Sequence, residues 1–274
     1  MKWRRYILLV ASLTYLGLLP LSTDAETLRR EQITDLFSEA KQSFRQASDL
    51  AATDPEQAKV LYRKAALRLE RIAQEGNIHN GKLYYNIGNA YFRIGNIGRS
   101  ILYYRRALQL IPNDVNLQQN LNYARSKRTD QIEERQQKKI LKTLLFWHYD
   151  FSAKTRLSLF AICINVFCLF SSLRLFWKKS GFLWFMGINV GLSLLLLGSF
   201  SFEALSQSEN SSGVILADEV IARKGNSETY EPSFEAPLHA GTEFELVETR
   251  EDWYHINLLD GRKCWLPQHS VGLI

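Results

Sequence analysis

The sequence predicts a multidomain membrane protein built from a helical repeat domain, a two-helix transmembrane hairpin and a small all-β barrel. Three observations predict it. Apolar residues crowd into residues 6–22, 157–177 and 182–202. A helical pattern with regular stop signals fills residues 30–125. Short alternating runs separated by Gly, Pro and acidic turns fill residues 213–274. Of 274 residues, 46% are hydrophobic and 23% charged, which excludes a disordered chain and one buried in lipid throughout. Residues 26–156 hold 23 Lys+Arg against 14 Asp+Glu, a balance of +9, while residues 203–274 hold 5 against 13, a balance of −8. That asymmetry bears on association rather than fold, and a membrane tether argues against nucleic acid as partner. The three cysteines, Cys163, Cys168 and Cys264, imply no disulfide framework and fit small buried apolar positions.

The N-terminus has the layout of a signal peptide over residues 1–25. Lys2, Arg4 and Arg5 precede the apolar run Tyr6 to Ser22, and Ala25 stands at a cleavage position. An uncleaved anchor is the alternative, because the run is long and Thr23-Asp24-Ala25 only loosely fits the small-x-small rule. Both export the domain that follows. Residues 157–177 and 182–202 are each 21 residues long, enough at about 1.5 Å per residue to cross a hydrocarbon layer of roughly 30 Å. Arg174 can snorkel from the end of the first span. Lys178 and Lys179 fill the connection 178–181, which the positive-inside rule assigns to the cytoplasm, although Lys154 and Arg156 dilute the signal from the other side. Gly187, Gly191 and Gly198 line one face of the second span, a packing surface either for a partner helix or second copy, or for the hairpin itself. Asn165 and Asn189 are the mid-span polar groups, and the absence of a mid-span ionisable residue argues against a transport pathway.

Residues 26–126 form the helical domain. Asp54, Pro55 and Gln57 give an N-cap, a first-turn proline and a capping-box partner, while Gly76 and Gly95 sit where helices end and Pro112 follows another. Within residues 81–114, Tyr84, Ile87, Gly88 and Tyr91, then Ser100, Tyr104, Ala107 and Pro112, occupy the signature positions of one tetratricopeptide repeat. A degraded repeat precedes it, with Phe37, Ala40 and Phe44 facing Ala58, Tyr62 and Ala65, and residues 115–126 supply a solvating helix. So short an array buries little surface, so a partner, the membrane or a second copy is expected to help stabilise it.

The other face of the repeat's first helix carries Lys82, Tyr85, Asn89 and Phe92, expected to line the concave groove with Asn120 and Tyr123 of the next helix. Amides beside exposed aromatic rings suit an extended peptide. The alternative is that Tyr85 and Phe92 pack against the preceding repeat. Residues 127–156 form a basic stalk. From Arg125 to Lys142 it has seven basic and three acidic residues before Leu144 and Trp147, which fits a helix descending onto a membrane surface or a solvated stalk.

A linker, residues 203–212, leads to residues 213–274. There the runs Gly213 to Ala222, Glu243 to Glu248, Trp253 to Leu258 and Lys263 to Leu266 predict a small β barrel, with Asp260-Gly261 as a hairpin turn. The order of "GVILADEVIARKGNSE", "LHAGTEFELVE", "DWYHINLLDGRKCWLP" and "HSVGLI" resembles bacterial Src-homology-3-like (SH3-like) domains, with Cys264 where those commonly place Gly. By that resemblance Trp253, Tyr254 and Trp265 provide an aromatic groove for peptides or wall material, or else the two Trp pack the core. Catalysis is not expected. Cys264 and His269 lack an orienting acid, the five His residues show no metal-ligand spacing, and no phosphate-binding loop is present, so neither a metal nor a cofactor is implied.

Signal, tetratricopeptide repeat, basic stalk, two-span hairpin and SH3-like barrel together resemble the BatE type of the Bat (aerotolerance) proteins, most specifically over "LYYNIGNAYFRIGNIGRSILYYRRALQLIPNDVNLQQNLNYAR", residues 83–125. The resemblance implies a bacterial inner-membrane protein with both soluble domains in the periplasm. It also implies partner Bat membrane proteins with von Willebrand A domains, a MoxR-type ATPase on the cytoplasmic side, and a role in envelope or oxidative-stress tolerance. Three functional expectations follow: a non-enzymatic scaffold that docks peptide segments, a peptidoglycan-binding sensor or tether led by the barrel, and, from the +9 and −8 balance, a barrel folded back on the repeat domain.

Overall fold

A computed structural model describes residues 28–132, 140, 143–149, 151, 153–177, 180–207 and 211–274. The signal peptide, the Lys178–Lys179 connection, residues 133–139 of the stalk and residues 208–210 of the linker lie outside the described residues. The chain forms α1 (Arg30–Leu50), α2 (Pro55–Gln74), α3 (Gly81–Ile94), α4 (Ile97–Leu110), α5 (Val115–Ser126), a single turn α6 (Phe146–Tyr149), and the long helices α7 (Ala153–Phe176) and α8 (Gly181–Gln207). Among the described residues seven strands follow: β1 (Ser212–Ile215), β2 (Glu219–Val220), β3 (Leu238–His239), β4 (Glu243–Arg250), β5 (Trp253–Leu258), β6 (Lys263–Pro267) and β7 (Val271–Leu273).

Short polar side chains start α2, α3, α4 and α5 of the repeat domain. Asp54 accepts from Gln57 N, Asn80 from Lys82 N and Leu83 N, Asn96 from Arg99 N, and Asp114 from Leu117 N, satisfying backbone N–H groups that a helix leaves free. Gly95 ends α3 at φ +88°. At the end of α2 the left-handed residue is Asn77, φ 49°, rather than Gly76. Ile78 N donates to Ala73 O there, so the asparagine closes the last turn. Helices α3 and α4 touch through Gly88, where an added Cβ would lie 2.5 Å from the Tyr104 ring, and Ala107 is fully buried at the same seam. The degraded repeat is a real helix pair: Ala40, Ala58, Tyr62 and Ala65 are buried, and the Phe44 and Tyr62 rings meet edge-on at 5.0 Å.

In the C-terminal domain, five strands pair antiparallel in the order β6-β5-β4-β1-β7, beside a two-stranded β2-β3 ribbon. Gly261 at φ +85° sits in the β5–β6 hairpin, as the Asp260-Gly261 turn signal predicts. Phe244, Ile256, Leu258, Cys264 and Leu266 fill the core of this sheet domain. Burial pushes the Cys264 thiol up to about 12, so it stays protonated and is a packing residue.

The sheet domain folds back on the outer face of α4 and α5. Ile101, Leu102, Ala107, Leu117 and Leu121 share one apolar cluster with Val214, packed also by Leu216 and Ile274. Gly98 permits the approach, because an added Cβ would stand 2.7 Å from Ile215 O. Glu243, 6% exposed, anchors the seam. It accepts two hydrogen bonds from Arg125 at 2.7 and 2.8 Å and one from Arg128 at 3.4 Å, with Arg105 at 3.5 Å. Burial works to raise the carboxyl's pKa, but the Arg125 hydrogen bonds and the three guanidinium charges hold it below its ordinary value. The surface missing from a short array is thus supplied by the chain's own acidic domain, through the charge asymmetry visible in composition.

Two sequence expectations change here. Residues 127–132 at the start of the stalk are not helical but strap the sheet domain. Asp130 accepts from His239 N, His239 Nδ1 and Thr242 Oγ1 at 2.7 to 2.8 Å, and Ile132 packs against the sheet core. Secondly, α7 does not pack on the glycine face of α8. Stretches Thr155–Arg174 and Gly181–Ser201 are long and apolar enough to cross a membrane. They meet through a face that includes Met186, Asn189, Leu196 and Ser199, and Arg156 donates to Ser199 at 2.6 Å. Gly187, Gly191 and Gly198 face away, with nothing within 4 Å of an added Cβ. Asn165 is satisfied by its own helix, donating to Ala161 O at 2.8 Å.

Candidate functional site

Helices α1, α3 and α5 line the side of the repeat domain that the sheet domain leaves open. A hydrogen-bonded cluster at its centre is built from Asn89 of α3. Tyr104, fully buried in α4, donates its hydroxyl to Asn89 Oδ1 at 2.7 Å, and Asn120 Nδ2 of α5 donates to the same oxygen at 3.1 Å. Asn120 Nδ2 also donates to the Tyr85 hydroxyl at 2.8 Å. Both lone pairs of the Asn89 carbonyl are thereby used, and its NH2 group is the part left for a ligand. Burial pushes the Tyr104 hydroxyl well above the ordinary tyrosine range, so it remains a donor at physiological pH.

The other predicted residues join this cluster. Phe92 and Tyr123 meet at 5.5 Å, Lys127 lies 5.1 Å from the Tyr123 ring centroid, and Tyr123 is 55% exposed. Lys82 is not free: it pairs with the Asp114 carboxylate, which also caps α5. The lysine and the helix N–H groups hold Asp114 below the usual carboxylate range, so this pair pins the first turn of α3 to the first turn of α5. Tyr85 and Phe92 pack toward α5 and Tyr104, not toward the preceding repeat.

On the side facing the preceding repeat, α3 presents Asn86 and Asn89 to a pocket of about 310 Å³. Phe37, Ala40, Lys41, Phe44 and Arg45 of α1 and Leu69 of α2 complete its lining. The sequence expectations omitted Phe37, Lys41, Arg45 and Asn86 from the groove. The signal was present: placing Ala40 on Gly88 aligns Phe37 with Tyr85, Lys41 with Asn89, Phe44 with Phe92 and Arg45 with Arg93, so α1 repeats the groove-lining pattern of α3.

The aromatic residues of the sheet domain do not form one groove. Side chains alternate along a strand, so Tyr254 shares the inner face of β5 with Ile256 and Leu258, whereas Trp253 and His255 lie on the other face. Trp265 pairs across from His255, is 9% exposed, and stacks on the imidazole at 4.8 Å with Arg250 5.5 Å from its ring centroid. Burial, then the Lys263 charge, lowers the pKa of His255, so the ring stacked on Trp265 is neutral at physiological pH. In the hairpin, Gly187, Gly191 and Gly198 form an open small-residue face with nothing within 4 Å of an added Cβ.

Residues 81–114 match the tetratricopeptide repeat family, the same limits that the sequence pattern marks. No curated protein matches the chain.

Proposed function

We propose that this protein is a non-enzymatic, membrane-anchored scaffold whose repeat groove docks an extended segment of a partner protein. The observation that carries this reading is the contrast between a repeat domain closed on one side by its own sheet domain and open on the other. The open side presents a pre-ordered amide, exposed aromatic rings and a pocket, and tetratricopeptide repeats generally mediate protein–protein contacts. Pre-ordering lowers the entropic cost of docking.

The docked pair of domains supports a shared side of the membrane. A two-span hairpin returns the chain to the face it left, and α8 ends at Gln207 only a few residues before β1 begins at Ser212, which keeps the sheet domain within about 18 Å of the hairpin. In this reading the signal peptide and Lys178–Lys179 place that side outside the cytoplasm of a bacterial cell. The sheet domain is an SH3-like module used as an internal prop. The partners are Bat-type membrane proteins with von Willebrand A domains, in a complex serving envelope or stress tolerance. A photoreactive residue in place of Phe37, in native membranes, is expected to crosslink to such a partner. Crosslinks confined to lipid or to the chain itself would overturn the scaffold reading.

A further inference from the structure

Resting on that reading of the groove, we infer that its occupant is an acidic, extended segment within a protein chain, carrying Asp or Glu next to an apolar side chain. The charge of the groove points there. Lys41 and Arg45 line the pocket and are exposed. Arg93, one turn beyond Asn89 on α3, is exposed too. None of the three has a hydrogen bond or ion pair among the described residues, whereas Arg105, Arg125 and Arg128 of the outer face are drawn onto Glu243. Nearby Glu39 does not neutralise them, since it turns to α2 and pairs with Arg68 at 2.6 Å.

Hydrogen-bond polarity agrees with the charge. Because Tyr104 and Asn120 occupy the Asn89 carbonyl, the amide offers donors to the pocket, as Lys41 and Arg45 do. A rim richer in donors than acceptors favours an acceptor-rich anionic group, and charge-assisted bonds of this type are the strong ones. The floor is apolar, with Phe37, Phe44 and Leu69 suited to an aromatic or branched aliphatic neighbour. Spacing also fits. Lys41 and Arg45 are one helical turn apart, about 6 Å along α1, and alternate side chains of an extended peptide are about 6.6 Å apart. Two acids in an Asp/Glu-x-Asp/Glu pattern can therefore meet both cations. Cations at both ends, Lys41 and Arg45 over α1 and Lys127 beside Tyr123, suit a segment passing through the groove better than a chain end held at one point.

The test is a cellulose-bound array of short peptides with blocked ends, combining Asp, Glu, Ser or Lys with Phe, Leu or Ala, probed with the full chain in detergent micelles. Peptides with Asp or Glu beside Phe or Leu are expected to bind about tenfold better than their Ser counterparts, and less well as salt is added. Lys41→Glu combined with Arg45→Glu is expected to move the preference to Lys-bearing peptides, with an unchanged thermal midpoint because both side chains are exposed. Best binding by neutral or basic peptides, abolished by Phe37→Asp, would overturn the acidic assignment and leave the groove standing. Tighter binding of the same acidic peptides made in soluble form with a free C-terminal carboxylate than of their C-terminally amidated forms would overturn the internal-segment assignment. Absence of binding across the whole array would remove the groove reading itself.

Discussion

The two faces of the repeat domain have been completed in opposite ways. On the outer face, α4 and α5 bury Ile101, Leu102, Leu117 and Leu121, and Arg105, Arg125 and Arg128 converge on Glu243. On the inner face, Phe37 and Tyr123 are 45% and 55% exposed, and Lys41 and Arg45 stand beside an open pocket. One face spends its charge on folding; the other keeps it for a ligand. The contrast shows how a single good repeat can suffice: the sheet domain takes the place that neighbouring repeats fill in longer arrays.

The largest way to break this contrast is at Glu243. Glu243→Ala leaves three guanidinium groups facing one another at a buried seam, and is expected to cost about 3–5 kcal/mol, read as a lowered denaturation midpoint and separate unfolding of the two domains. Acid does the same to the native protein. Because the folded-state pKa of Glu243 is depressed, as is that of Asp130, their stabilisation is complete above the ordinary carboxylate range of about 4. It is lost as pH falls through the depressed values. Docking followed by tryptophan fluorescence should therefore hold at neutral pH and fail only in acid. Gly98→Val comes next, at about 1–3 kcal/mol from overpacking against Ile215, detectable as increased hydrogen exchange along β1.

Tyr104→Phe sharpens the comparison, since it removes one donor from Asn89 while keeping the ring against Gly88. About 1 kcal/mol of stability should be lost, together with groove affinity, because the Asn89 amide is freed to turn over. Smallest of all is Lys41→Ala. Its effect on stability should stay within about 0.5 kcal/mol, while binding of acidic peptides weakens measurably in the array.

What the sequence disclosed follows the range of the interactions. The limits of α5, the ends of the strong repeat and the Asp260-Gly261 turn were legible because caps, glycines and helical spacing act over a few residues. The docking was legible only as a charge balance: +9 and −8 foretell attraction, but nothing local marks Glu243 as its centre. Tyr254 could have been separated from Trp253 and Trp265 by strand alternation alone, and the role of α1 by extending the repeat's register to Ala40. By contrast, the strap formed by Asp130 and Ile132, and the orientation of Gly187 and Gly191 away from α7, depend on long-range packing that leaves no local mark. Sheet-domain binding to purified peptidoglycan is tested by pull-down of the full chain. Retention that survives loss of the groove cations would give the sheet domain a role beyond propping the repeat.

The most direct test of a closed outer face is crosslinking from a photoreactive residue in place of Arg106, whose Nη2 donates to Leu273 O at 2.6 Å. A product within one chain, mapped to the last strand of the sheet domain, is expected in native membranes. Crosslinks from that position to another protein, with none to the sheet domain, would contradict it.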